Sequence, residues 1–328
     1  EFRRVLFRSI RSRKDVGIST FMNGISLDLP IISSNMDTIT ESKMANAMDM
    51  LGAGACLHRF STINENKLMY KNSPKKTMVS IGVGAEEFDR AMALFESGAQ
   101  TFVIDVAHGA AEHVVRQYDN LRAVVKENAA IIVGNFATGI SIKDFNHHVK
   151  SRTLPNAYKI GIGGGSLCTT RVVTGCGLPT FQSILDCKQY AENIIADGGI
   201  RNSGDLVKAL AAGAKAVMVG SLLSGTEETP GLIIEEGHMQ MYKKYRGSAS
   251  LESYWAQNKI ADHRAAEGEA TYVPYKGPVK DVILNLIGGL RSGMSYVGAS
   301  SLTELQEKAK FARVTDSGKA ESRAHAKE

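Results

Sequence analysis

The stretch Thr101–Val133 reads TFVIDVAHGAAEHVVRQYDNLRAVVKENAAIIV, and two periods alternate along it. Thr101–Asp105 and Ala130–Val133 are short, β-rich apolar runs. Between them, Val114, Val115, Tyr118, Leu121 and Val125 recur at helical spacing within Ala111–Lys126. A strand, a helix and a strand in that order predict a parallel pair joined by a right-handed crossover.

The unit repeats in both directions. Apolar runs at Leu29–Ser33, Ala53–Leu57, Met78–Ile81, Ala157–Ile160, Asn193–Ala196 and Ala216–Val219 bring the candidate strands to eight. Glu87–Ser97 carries Phe88, Ala91, Met92, Leu94 and Phe95 on a helical stripe. Eight such units predict an α/β fold of the (β/α)8 TIM-barrel type, a single catalytic domain over residues 10–314. Strand order is not legible in sequence, so an open doubly wound sheet is the alternative.

The chain has 328 residues, 43% of them hydrophobic, enough for one large core or two modest ones. Its formal charge of +5 is too small to suggest a nucleic-acid protein. Cys56, Cys168, Cys176 and Cys187 form neither a disulfide framework nor a Cys-x-x-Cys metal spacing, which suits a reducing cytoplasm. No apolar run approaches the length of a membrane span, and no secretory signal is evident. Glu1–Ser9 matches none of the later patterning and reads as a non-native leader, with a basic amphipathic arm as the alternative. Residues 315–328 read as a charged, frayed tail. Gly225–Tyr275 breaks the repeat with a polar, Tyr-rich stretch of a length that suits an active-site flap.

The residues just beyond each strand point to a site. The runs end in Asn35-Met36-Asp37, His58-Arg59, Gly82-Val83-Gly84, Asp105-Val106-Ala107-His108-Gly109, Gly134-Asn135, Gly161-Ile162-Gly163-Gly164-Gly165, Asp197-Gly198-Gly199 and Gly220-Ser221. In a barrel all these ends open on one face. Taken singly, each is also an ordinary turn sequence.

One loop carries a nucleophile. Gly161-Ile162-Gly163-Gly164-Gly165-Ser166-Leu167-Cys168-Thr169-Thr170-Arg171 presents a thiol on a glycine-rich turn directly after a strand. A thiolate attacks unsaturated carbon well when a nearby positive charge favours it, and Arg171 is adjacent in sequence. Cys56, Cys176 and Cys187 lie in apolar or helical contexts and read as inert. Ser166, Gly198, Gly199, Gly220 and Ser221 are candidates for a phosphate cradle, with Asp197 accepting from ribose hydroxyls. His58 and His108 read as structural hydrogen-bonders; His108 and His113 are no metal pair without carboxylate support.

The segments Gly165–Arg171, Asp197-Gly198-Gly199-Ile200-Arg201, Gly220-Ser221 and Tyr245-Arg246-Gly247 together resemble the IMP dehydrogenase and GMP reductase family, from about Pro30 to Thr315. The resemblance implies a (β/α)8 barrel, usually a homotetramer, that binds a purine nucleoside monophosphate and a nicotinamide cofactor. It also implies a covalent bond from Cys168 to purine C2. By the same resemblance Gly247, Ser248, Arg264 and Gly268 join the nucleotide site, and Asp105, Val106, Ala107, Arg59, Ser292 and Ser295 the cofactor site. The carbonyls of Gly163, Gly165 and Cys168 match ligands of a monovalent cation, K+. Gly164 stands where the family usually has Pro. The family's first strands and a nucleotide-contacting loop normally precede Ile25, and here they are truncated or replaced.

The choice between the two activities turns on the flap. Gly247–Tyr275 contains no Arg-Tyr dipeptide of the kind the dehydrogenases use to activate water, whereas His263-Arg264-Ala265-Ala266-Glu267-Gly268 is similar to the reductase segment. Only 17 residues separate Phe60 from Met78, so the dehydrogenase regulatory insertion is absent. Against this, Lys308–Val314 and Glu321-Ser322 resemble dehydrogenases, and Arg59 replaces the lysine of many reductases. The resemblance therefore implies a GMP reductase, in which Thr170 and Glu267 protonate departing ammonia and NADPH reduces the Cys168 adduct to give IMP. The alternatives are an NAD-dependent IMP dehydrogenase and an inactive purine-nucleotide-binding barrel.

Overall fold

The computed structural model describes residues 10, 12–236, 240–257 and 265–322. The leader reading of Glu1–Ser9 lies outside the described residues. A short antiparallel hairpin, β1 (Thr20–Met22) and β2 (Ile25–Leu27), precedes eight parallel strands. These are β3 (Ile31–Ser33), β4 (Gly54–Leu57), β5 (Met78–Ile81), β6 (Thr101–Asp105), β7 (Ala130–Phe136), β8 (Ala157–Ile160), β9 (Ile194–Asp197) and β10 (Ala216–Val219). They pair in sequence order, and β10 returns to β3 with Val217 opposite Ile31. The ring is closed, so the doubly wound alternative is excluded.

Helices succeed the strands as the periodicity predicts. Glu112–Val125 buries Val114, Val115, Tyr118, Leu121 and Val125 against the barrel's outer wall. Between β4 and β5 stands the helix Ile63–Lys71, started by a capping box in which the Thr62 hydroxyl and the Glu65 carboxylate satisfy each other's backbone amides. It occupies the place of a regulatory insertion.

The flap is more regular than its composition suggests. Strands β11 (Ile234–Glu236), β12 (Gln240–Arg246) and β13 (Ala270–Pro274) form an antiparallel sheet. The Lys243 ammonium, buried under it, donates to the carbonyls of Thr226, Glu227 and Thr229. Arg246 pairs with Asp37 in the loop after β3, so the base of the flap is tied to the barrel. The tail also departs from expectation: Asp316–Glu321 forms an exposed helix capped by Thr315, and Phe311 packs edge-on against Phe181 with centroids 4.8 Å apart.

Two apolar layers surround the strands. Residues such as Phe102 and Ile104 point outward to the helices, and Ile32, Cys56, Val103, Ala157, Ile195 and Met218 fill the barrel interior. Met22, Ile25 and Leu27 of the hairpin belong to that interior cluster and close the barrel at its N-terminal end.

One step toward the C-terminal end the interior becomes charged. Asp105, Lys159 and Asp197 each lie two residues beyond an inward apolar residue, and the Lys159 ammonium is 2.6 Å from a carboxylate oxygen of each aspartate. Burial pushes the Asp105 carboxyl up, but the adjacent Lys159 charge, with Arg59 farther off and a hydrogen bond from Asn35, holds it below its ordinary value. Burial likewise opposes the Lys159 charge, and the two aspartates more than reverse this, raising its pKa.

Both layers can be probed by stability. Met22→Ala removes a fully buried plug residue and is expected to cost about 2–5 kcal/mol in denaturant unfolding. At the neighbouring exposed Phe21, the change to Ala should stay within about 0.5 kcal/mol, and equal losses at both positions would refute the plug. Because the folded Asp105 carboxyl titrates below the unfolded one, its stabilisation is complete above about pH 4 and disappears as the pH falls through the folded value. Asp105→Asn should therefore cost roughly 1–3 kcal/mol at neutral pH, and the gap to the unaltered protein should close in acid. A gap independent of pH would show that the carboxylate is not ionised in the fold.

Candidate active site

The C-terminal mouth of the barrel opens into a cavity of about 670 Å³ lined by the ends of the strands, the cysteine loop and the flap. A second cavity of about 610 Å³ lies at the opposite end beside the hairpin, and no cysteine lines it. The candidate site is therefore the one at the mouth, which Cys168 lines.

The cysteine loop leaves β8 through Gly161, whose φ of +139° and contact with β9 require glycine: a Cβ there would sit 2.1 Å from the Asp197 carbonyl. The loop ends at the short helix Thr170–Thr174, which places Cys168 half-buried at the cavity wall. Its thiol donates to Thr170 Oγ1 at 3.1 Å, and the Thr170 hydroxyl donates to Glu267 Oε2 at 2.7 Å. Glu267 comes from the far end of the flap and is held by backbone pairing. The Thr169 amide donates to the Glu267 carbonyl, and the Glu269 amide to the Leu167 carbonyl, both at 2.9 Å. Gly268 lies between, packed so tightly that a Cβ would come within 3.5 Å of Ser250, Ala249 and Gly247 backbone atoms. A thiol, a hydroxyl and a carboxylate thus form one hydrogen-bonded chain along which a proton can pass.

Arg171 does not join this chain. Its aliphatic stem packs against Gly163 and Gly177, and its guanidinium donates to the Leu178 carbonyl. Cys56 and Cys187 are buried, and burial pushes both thiols up, to about 12 for Cys187. Cys176 is exposed in the turn after the short helix, against the expectation that it is inert by context.

The other candidates divide into two sides. Ser166 Oγ shares a 3.1 Å hydrogen bond with Tyr245 OH, whose phenol is pushed up by burial and stays a neutral hydrogen-bond group. Gly198, Gly247, Ser248 and Gly268 line the cavity beside them, and Asp197 lies at its floor. Opposite stand Asp105, Val106, Ala107 and Arg59, the last with its guanidinium 5.0 Å above the Phe60 ring and 3.8 Å from Glu87. Gly163 and Gly165 also reach the cavity.

Some predicted residues are placed elsewhere. Gly220 sits behind the wall, where a Cβ would press on Ser34 and Met36, and Gly199 packs against Thr180. The Ser221 carbonyl accepts from Ser224 and Lys276 outside the cavity. Ser292 and Ser295 lie on the outer helix Val279–Val297 and do not line the cavity. Arg264 lies outside the described residues. His58 is a structural hydrogen-bonder, its Nδ1 accepting from the Phe60 amide and its Nε2 facing Glu41 at 3.4 Å, whereas His108 is exposed.

Sequence reasoning missed Lys159 and named Asn35, Asn135 and Tyr245 without giving them a role. Lys159, Asn35 and Asn135 form the polar floor: Asn35 donates to Asp105 Oδ2 and Asn135 to Asp197 Oδ2, both at 2.9 Å. Tyr245 appeared only as part of a motif. A lysine in an otherwise apolar parallel strand, two residues after inward-facing Ala157, was the available signal.

Among the described residues no helix is long and apolar enough to cross a membrane. The family model for the IMP dehydrogenase / GMP reductase domain matches residues 7–325. An inosine-5'-monophosphate dehydrogenase of Aquifex aeolicus is 45% identical over 75% of this chain and 51% of its own length, so the chain spans about half of that relative. One from Cryptosporidium parvum is 34% identical over 95% of this chain and 90% of its own. Among solved structures, inosine 5' monophosphate dehydrogenase from Legionella pneumophila superposes with a TM-score of 0.85 at 41% identity, covering 97% of this chain and 98% of that one. A GMP reductase variant from Trypanosoma brucei in complex with guanosine 5'-monophosphate gives 0.88 at 26% identity, covering 98% and 96%.

These likenesses overturn the reductase expectation. The curated relatives at 34–45% identity are named as dehydrogenases, and the reductase is the more distant neighbour in sequence. The physical reason for the error is that a Thr-Glu pair accepts a proton as readily as it donates one, so its presence does not set the direction of the chemistry. Family membership is unaffected by that correction: the chain belongs to the IMP dehydrogenase / GMP reductase family.

Proposed function

We propose that this chain oxidises inosine 5'-monophosphate to xanthosine 5'-monophosphate with NAD, using Cys168 as covalent nucleophile, as a cytoplasmic homotetramer. The observation that carries the reading is the Cys168–Thr170–Glu267 chain at the wall of the cavity. The dehydrogenase names of the relatives favour this direction over the reverse. Apolar Leu232, Ile234, Met241 and Tyr272, exposed on and beside the flap sheet, suit a subunit contact.

The thiol proton passes through Thr170 to Glu267 and on to solvent, and sulfur adds to purine C2. Hydride then leaves C2, and a bound nicotinamide supplies the acceptor for it. Water adds to C2 while its proton moves to Thr170 Oγ1 and the Thr170 proton to Glu267 Oε2. The C2–S bond breaks, sulfur leaves as thiolate and recovers a proton. One IMP, one NAD+ and one water become XMP, NADH and a proton. The Thr170–Glu267 pair takes the part that the missing Arg-Tyr dipeptide would otherwise play.

Asp197 accepts from the ribose hydroxyls, and the Ser166 and Tyr245 hydroxyls with the Gly198 and Ser248 amides take the phosphate, while the Gly247 amide is spent on the Glu269 carbonyl and Gly247 serves only as a close-packed wall. Asp105, Val106, Ala107 and Arg59 take the nicotinamide side. Asn135 Oδ1 and Ser34 Oγ are buried on the cavity wall without a hydrogen-bond partner among the described residues, which fits a polar ligand there. The carbonyls of Gly163, Gly165 and Cys168 would hold K+ in a turn so tight that a Cβ at Gly163 would lie 2.6 Å from Arg171 Cγ.

The decisive assay measures nicotinamide absorbance with each nucleotide and cofactor pair. Reduced nicotinamide should appear with IMP and NAD, and none should be consumed with GMP and NADPH; the opposite result rejects the dehydrogenase, and silence in both rejects catalysis. Glu267→Gln should lower kcat by about 10²–10⁴-fold while a slowed first burst of NADH survives, because the half-buried Cys168 thiol can also lose its proton directly to solvent. A purine adduct on Cys168 should then accumulate by mass spectrometry, and it should be absent in Cys168→Ala. An unchanged kcat in Glu267→Gln would remove the relay from the mechanism.

A further inference from the structure

Lys159 takes part in no step of the proposed reaction, yet its charge is among the most enclosed in the molecule, with 2% of the residue exposed. It stands on β8, and inside the ring its ammonium reaches an aspartate on either side: Asp105 Oδ1 from β6, two strands away, and Asp197 Oδ2 from the adjacent β9, each at 2.6 Å. The remaining contacts define which oxygen faces the cavity. Asn35 holds Asp105 Oδ2, so both oxygens of that carboxylate are engaged. Asn135 and Lys159 converge on the same oxygen of Asp197, and its Oδ1 has no hydrogen-bond partner among the described residues. The side chain is thereby turned with one acceptor toward the ligand.

We propose that Lys159 is a positioning residue that links the two halves of the cavity, one ammonium setting the aim of Asp197 toward the nucleotide and of Asp105 toward the nicotinamide side. This rests on the assignment of those two aspartates under the proposed function. The physical basis is competition for a single cation. The three residues sit on strand ends whose backbones are fixed by the closed ring, so any change in one carboxylate is answered by the ammonium and then by the other side chain. Withdrawing the cation leaves two enclosed carboxylates facing each other, an arrangement relieved only by rotation of one side chain or uptake of a proton. Either response moves Asp197 Oδ1.

Calorimetric titration of the full chain with IMP alone tests this without turnover. Asp105→Asn alters a side chain on the opposite side of the cavity from the nucleotide, yet it should weaken IMP roughly fivefold or more. Lys159→Met should weaken IMP at least as much, and the double variant should be no weaker than Lys159→Met alone, because the path between the aspartates is already cut. Lys159→Arg, which keeps the charge, should restore affinity relative to Lys159→Met. Melting curves report whether each variant folds, and if Lys159→Met does not, Asp105→Asn and Lys159→Arg decide the matter. An Asp105→Asn protein that binds IMP within about twofold of the unaltered chain, or effects that simply add, overturns the link. If the unaltered protein binds no IMP, the nucleotide assignment itself falls, and the link with it.

Discussion

The site depends on a few backbone hydrogen bonds between segments nearly a hundred residues apart. Thr169 and Leu167 of the cysteine loop pair with Glu267 and Glu269 of the flap, and this pairing, with the Glu267 amide donating to the Ala249 carbonyl, decides which flap side chain meets Thr170. In extended pairing a slip of one residue turns every side chain to the other face, so Glu267 would be replaced at the hydroxyl by a neighbour without the chemistry. Gly268 and Gly247 permit the register by letting two backbones touch. Lys243 and the Arg246–Asp37 pair then hold the sheet from which this segment projects.

The barrel contributes a sharp change of environment. Along β6, β8 and β9 the inward positions pass from Val103, Ala157 and Ile195 to Asp105, Lys159 and Asp197 in a single step of the period-two repeat. Below that step the interior is packed apolar side chain. Above it are charges that are satisfied by one another, and a ligand with many donors and acceptors meets partners already oriented rather than loose water. The cost of enclosing Asp105 is met by its lysine and asparagine contacts, which explains why that carboxylate can remain ionised at a depth where a lone one would not.

Most of the barrel was legible because parallel strands buried on both faces are written as apolar runs, and the eight ranges read from sequence coincide with β3–β10 to within a few residues. Cys168, Thr170 and Glu267 were legible as a motif, and the structure joins them by hydrogen bonds. Lys159 was not, because alternation within a strand does not say which face is the inside of the barrel. The flap sheet was missed because its strands mix Tyr, Lys and Met and pair across a distant return of the chain. Arg171 misled because adjacency along a helix start does not fix where a long side chain turns. The direction of catalysis was misjudged because a proton relay reads the same from both ends.

The hairpin at the far end makes the barrel a cup rather than a tube. With Met22, Ile25 and Leu27 seated in the base, the charged floor opens, among the described residues, only toward the mouth. Any molecule that reaches that floor from the mouth has to leave by the way it came.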